Sequence, residues 1–120
     1  MSKYPLLKEQ LLHEGIIAPT DLIEPESLSE HIMAAVHTDE YLQKLQSAGL
    51  SSAETLRLGM PWSAELWLRS RVAAGGTLLA AQTALKDGMA ANLAGGTHHA
   101  FADHGEGFCI INDVAIGRRM

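Results

Sequence analysis

The chain has 120 residues, 47% of them hydrophobic and 19% charged, the usual size of one domain, or part of one, able to bury a modest core. Its net charge of -5 is spread thinly, without a Lys/Arg cluster, which argues against a nucleic-acid partner and against a polybasic membrane patch. The single cysteine, Cys109, excludes an intrachain disulfide framework. The start "MSKYPLLKEQ" has neither a signal-peptide layout nor a membrane span, so the expectation is a soluble, cytoplasmic protein.

In chain order, "YPLLKEQLLHEGI" reads as a helix, with Pro5 at a first helical position, Gly15 as its C-terminal cap and Leu7, Leu11 and Leu12 as its apolar face. A loop follows through Pro19 and Pro25. Ser27 with Glu30, and Ser51 with Glu54, have the spacing of capping boxes, and "TDEYLQKLQSAG" between them predicts a helix ending at Gly49. From Pro61 to Lys86 the chain is rich in Ala and Leu and lacks internal proline, which predicts a long helix capped by Gly88, with Leu66, Val72, Leu79 and Leu85 near one face. Gly75 and Gly76 in its middle should cost roughly 1 kcal/mol each relative to alanine, so their presence points to close packing against another backbone, with a kink as the alternative. Two short apolar runs follow, "MAANLAGG" and "GFCIIND", and then "VAIGRRM", the opening of another helix. Strands alternating with helices predict an α/β layout with a parallel sheet. In such sheets ligands bind beyond the carboxyl ends of the strands, where Gly95 to His99 would lie.

The segment "AGGTHHAFADHGEGFC" concentrates chemistry, holding three of the six histidines. A metal site would recruit His98, His99, Asp103, His104, Glu106 and Cys109, but no spacing among them matches a known zinc pattern, and neighbours in an extended segment point to opposite sides. An acid/base role suits imidazoles that titrate near neutrality, provided the loop turns so that both rings reach a crevice. On sequence chemistry alone this stands level with two ordinary polar loop residues. Gly95, Gly96, Gly105 and Gly107 permit backbone approaches that a solvent loop seldom requires, which points to something held close. Phe108 would line a pocket or, as composition favours, pack in the core. Cys109 reads as a small buried hydrophobe and not as a nucleophile. Asn112 and Asp113 suit the cap of the next helix. His13, His31 and His37 fall on polar early segments, with surface or local packing roles.

At these residues the sequence resembles the histone deacetylase superfamily. "NLAGGTHHAFADHGEGFCIINDVAIG" is similar to the family's pairing of "GG-x-HH" with "GFC-x-x-ND", and "VHTDEYLQKL" resembles its upstream "H-x-x-x-Y-L" segment, with the long helix between them. "RLGMPWS" resembles the bacterial branch related to class IV enzymes. The resemblance implies an arginase/deacetylase-type α/β fold, an open parallel sheet flanked by helices, and zinc-dependent hydrolysis of the amide of an acylated lysine or amine. It implies that His99 is the general base and acid, that His98 is the partner tuning its charge, and that Gly107 and Phe108 line the acyl-chain channel. His104 has no implied role, and Gly59 stands where some relatives place an acidic residue.

The family's zinc ligands, an "Asp-x-His" after the next strand and a later aspartate, and its oxyanion-stabilising tyrosine have no counterpart in residues 1–120. The resemblance therefore implies an incomplete domain, the N-terminal half, with no zinc expected on this chain alone and no complete catalysis. It also leaves room for self-association or for a complementing C-terminal half. A non-catalytic binding or assembly module that keeps the loop is the rival reading.

Overall fold

The structure, a computed structural model, describes residues 3–120. Six α-helices run in chain order: α1 Lys3–His13, α2 Glu30–Met33, α3 Asp39–Gln46, α4 Ser52–Leu58, α5 Ala64–Asp87 and α6 Asp113–Arg119, with a 3-10 turn at Pro19–Asp21. Among the described residues, none of these helices is long and apolar enough to cross a membrane.

Local chemistry accounts for most of the helix ends. Thr38, Ser51, Ser63 and Asn112 each accept a backbone N–H from the first turn of α3, α4, α5 and α6, filling one of the donors that a helix start leaves open. At α4 the box is reciprocal: Ser51 Oγ accepts from Glu54 N at 3.1 Å while the Glu54 carboxylate accepts from Ser51 N at 3.1 Å. Gly59 and Gly88 close α4 and α5 in the left-handed conformation, which a residue without Cβ adopts freely. The start of α2 differs from expectation. Its cap is Ser29, not Ser27, because Leu28 is buried and its N–H is held by the Arg71 carbonyl at 3.2 Å, so the chain turns into the helix only after it.

The core gathers Leu28, Met33, Tyr41, Leu42, Leu45, Leu58, Trp67, Ala74, Leu78, Ile110, Ile111 and Ile116. The amphipathic α3 contributes Tyr41, Leu42 and Leu45, and Trp62 ties its end down by donating Nε1–H to the Leu45 carbonyl at 2.7 Å. Helix α5 buries Trp67, Ala74, Gly75, Gly76 and Leu78, not the expected row: Leu66, Val72 and Leu79 are half-buried and Leu85 is 92% exposed. An Ala/Leu-rich helix is apolar nearly all round, so periodicity selects its face weakly, and close approach selects it instead. A Cβ on Gly75 would strike the Glu26 carbonyl oxygen, and one on Gly76 would meet the Asn92 side-chain amide at 2.8 Å. The two glycines are packing positions, as their cost in a helix suggested.

The expected strands do not form a ladder. Residues 89–96 and 107–113 are irregular apart from turns and the start of α6, and the isolated bridge between Glu106 and Cys109 is the β-pairing seen among the described residues. A parallel strand requires a partner alongside it. Here the Ile110 carbonyl instead accepts the Tyr41 hydroxyl at 2.6 Å. Burial holds that phenol in its neutral form by raising its pKa, with the Glu54 charge adding to the effect. In place of an exposed sheet edge, an open groove of about 1230 Å³ runs beside α5, lined in part by Leu79, Thr83, Asn92, Leu93 and Ile110.

Gly75→Ala tests the packing. Helix propensity alone favours alanine by roughly 1 kcal/mol, but the new methyl would meet the backbone at Glu26, so the net expectation is a loss of ~1–3 kcal/mol. A urea midpoint equal to or above that of the parent chain would show that residues 26–28 yield.

Candidate functional site

The loop from Asn92 to Ala102 is irregular, and polar side chains of the elements around it hold its shape. Asn92 opens it, with Nδ2 donating to the Ala73 carbonyl at 2.8 Å and to Thr77 Oγ1 at 2.9 Å, while its Oδ1 accepts from Ala94 N at 3.1 Å. Thr77 then donates its hydroxyl to Asp113 Oδ2 at 2.6 Å. The same Asp113 carboxylate accepts the N–H groups of Gly96 and Thr97 at 2.8 and 2.9 Å. Gly95 lies in this cluster with no room for a side chain: a Cβ would sit 2.7 Å from Thr77 Oγ1 and 3.1 Å from Asp113 Oδ2.

Asp113 is buried. Desolvation pushes its pKa up, but the hydrogen bonds from Thr77, Gly96 and Thr97 together outweigh that, and the net shift is downward. The group is thus held as a carboxylate, the form that accepts every one of these donors. Asn112 completes the arrangement: beyond capping α6 through Ala115 N at 2.9 Å, it donates Nδ2–H to the carbonyls of His98 at 3.2 Å and Ala100 at 3.0 Å.

Within this frame the chain turns at His98 and His99 and brings their rings together, centroids 4.2 Å apart and tilted by 39°. The turn removes the objection that neighbours face apart. Both residues are exposed, and His98 Nδ1 lies 3.2 Å from the Gly96 carbonyl. Gly107 borders His99: a Cβ there would be 3.4 Å from His99 Cβ and Cγ.

Gly107 and Phe108 are the two central residues of a tight turn closed by Glu106 N to Cys109 O at 3.1 Å and Cys109 N to Glu106 O at 3.0 Å. Their φ values of 56° and 66° are both positive, the requirement of a type I′ turn. Phenylalanine is a strained choice at such a position. The turn throws its ring outward, 67% exposed, against the bare Cα of Gly59, where a Cβ would stand 2.9 Å from Phe108 Cε1. Core packing, the role that composition favoured for Phe108, is therefore overturned. Cys109 is buried, with its thiol facing the Gly107 carbonyl at 3.5 Å.

His37 is the residue that sequence reasoning missed. It is buried, its Nε2 accepts from Asn112 N at 3.1 Å, and its Nδ1 faces the Ala102 carbonyl at 3.3 Å. An acceptor at Nε2 and a carbonyl at Nδ1 require the neutral ring with its proton on Nδ1. Burial lowers its pKa, partly offset by the carbonyls of Ala102 and Phe101. His104 sits apart from the pair, stacked on Phe101 with centroids 4.4 Å apart, and between Asp103 at 2.7 Å and Glu106 at 3.3 Å. The hydrogen bond to His104 is the chief cause that lowers the Asp103 pKa.

These side chains do not compose a zinc site. Among the described residues, no three His, Cys, Asp or Glu side chains converge as metal ligands. Asp113, the carboxylate that fastens the histidine loop, already has both oxygens engaged.

The fold and the loop place the chain among deacetylase-like proteins. A solved structure of a histone deacetylase homologue from Aquifex aeolicus superposes with a TM-score of 0.72 at 28% identity, covering 87% of this chain and 30% of that one. Residues 1–119 match the histone deacetylase domain, and the chain belongs to that family. An uncharacterised protein of Picosynechococcus sp. is 43% identical over 119 residues, covering 99% of this chain and 40% of the relative. The acetoin utilization protein AcuC of Bacillus subtilis is 37% identical over 106 residues, covering 80% and 27%. The chain thus spans well under half the length of these relatives.

Two outcomes follow from this geometry. Phe108→Gly relieves a left-handed conformation while giving up little buried surface, so stability should rise by ~1 kcal/mol; a lower melting temperature would show that the ring's contact with Gly59 outweighs the strain. His37, with its folded pKa below the ordinary 6.5, binds fewer protons folded than unfolded. Its contribution is complete above about pH 6.5 and fades as pH falls through the lower folded value. Unfolding free energy should therefore drop as the pH falls below about 6.5, and His37→Ala should cost ~1–3 kcal/mol at neutral pH while flattening that slope. An unchanged slope would place the pH dependence elsewhere.

Proposed function

We propose that residues 1–120 are the histidine-bearing part of a larger zinc-dependent deacetylase domain that hydrolyses the amide of an acylated lysine or amine. The observation that carries this reading is the His98–His99 pair, ring against ring on a backbone fastened by Asp113 and Asn112, beside the outward-facing Gly107–Phe108 turn. His99 accepts a proton from the attacking water and returns it to the amine nitrogen as the C–N bond breaks, leaving a carboxylate and a free amine. His98, packed on it, adjusts the charge of its neighbour. Phe108 and Gly107 form part of the wall along which the acyl chain lies. Zinc ligands would come from outside these residues, so the chain alone is expected to be inactive.

A second reading, a non-catalytic module that docks a complementary half or another copy, is favoured by a different observation: Leu85 and Met89 lie almost fully exposed, and Met89 is on the wall of the open groove beside α5. Kinetics separate the two. In a deacetylase-competent protein that carries this chain, His99→Ala should lower kcat by ~10²–10⁴ with a much smaller change in KM, His98→Ala should do less, and Phe108→Ala should chiefly relax acyl-chain selectivity. Normal kcat for His99→Ala with a dead His98→Ala would reverse the roles. Normal kcat for both would remove the pair from the chemistry and leave the docking reading.

A further inference from the structure

Asn112 has more to do than its helix requires. Capping α6 needs one acceptor, which Oδ1 supplies to Ala115 N, and serine or aspartate would serve equally well. Only an amide adds two N–H donors to that acceptor, and here they go to the carbonyls of His98 and Ala100, the residues on either side of His99. The orientation of the amide is settled by its surroundings: reversed, it would set an oxygen against two carbonyls and an NH₂ against the Ala115 N–H. The backbone N–H of Asn112 is also engaged, by His37 Nε2, and the opposite edge of that ring reaches the Ala102 carbonyl. One residue thus touches the histidine turn directly at 98 and 100 and, through His37, at 102.

We propose that Asn112 is a positioning residue for the His98–His99 pair, its side-chain amide holding the carbonyls that flank His99 and so setting the ring beside Gly107 from the start of α6. Asp113 secures the two residues before the pair through their N–H groups, and Asn112 secures the pair itself through carbonyls, so the two side chains act on different peptide units. The catalytic meaning of this placement rests on the acid/base reading of His99, whereas the placement itself does not.

The test uses Asn112→Ser, which keeps a neutral capping acceptor but is too short to reach both carbonyls, and Asn112→Asp, which keeps the acceptor and reverses the polarity facing them. In the 120-residue chain, amide order parameters of His98–Ala100 should fall from ~0.85 to below about 0.6. The His98 and His99 ring-proton shifts should move toward those of free histidine as the 4.2 Å ring contact is lost. Exchange protection at Ala115 N–H should persist. Unchanged loop order and ring shifts would overturn the proposal, as would loss of the loop and of Ala115 protection together in both variants, which would make Asn112 a cap and nothing more. In a deacetylase-competent protein carrying the chain, Asn112→Ser should lower kcat at least about tenfold at near-constant KM, as expected of an interaction used mainly in the transition state. A loosened turn with full kcat would sustain the placement by Asn112 and overturn the acid/base reading of His99.

Discussion

A buried carboxylate organises this chain. Asp113 is taken out of water at the first turn of α6, and an unpaired charge there would be prohibitive. Its two oxygens are therefore filled by the Thr77 hydroxyl from α5 and the Gly96 and Thr97 N–H groups from the loop. Each partner brings its own constraint. Thr77 must face α6, which packs along α5, and Gly95 must lack a side chain so that the loop can come this close. Gly76 must be bare so that Asn92 can reach the Ala73 carbonyl and Thr77. The glycines of α5 and of the loop, distant in sequence, serve the same cluster.

The histidine turn takes its definition from this anchorage. Exposed imidazoles on an irregular loop would ordinarily sample many arrangements, and a site is sharper when its support is rigid. Here the support is α6 and α5, reached through Asp113, Asn112 and His37 rather than through secondary structure in the loop itself. The tight turn at Gly107–Phe108 shows the opposite economy. It stores strain in a left-handed phenylalanine whose ring stays largely in solvent, and such strain persists where the surroundings over-determine it. Cys109 buried on one side and the Phe108 N–H donating to the Leu58 carbonyl at 2.8 Å on the other provide that over-determination.

Helix ends were legible where their signals are local: Ser51 with Glu54 before α4 and Gly88 after α5 act within one turn of themselves. The cap at Ser29 was not, since Ser27 has the same local credentials and only the contact of Leu28 with α5 decides between them. The buried face of α5 was missed for a related reason. Its small residues carry little hydrophobic signal, and what they admit, the Glu26 carbonyl and the Asn92 amide, comes from elsewhere in the chain. Apolar runs such as "GFCIIND" suggest strands by composition, yet a strand exists only against a neighbour, and no segment of the described residues pairs along this one.

By itself the sequence determined the family, through the spacing of its histidine, glycine and "ND" motifs, together with the positions of most helices and the close packing demanded at Gly75 and Gly76. Only the tertiary structure decided that His98 and His99 stack in a turn, that Phe108 points outward, and that His37, for which surface and local packing roles were both open, is a buried tether. It also decided what Asn112 and Asp113 do beyond capping. The physical reason is one of range. Propensities and caps are settled among residues three or four apart, whereas a buried donor or acceptor must find its partner wherever folding brings one: His37 finds Ala102 65 residues away and Asn112 75 residues away, separations that no local pattern encodes.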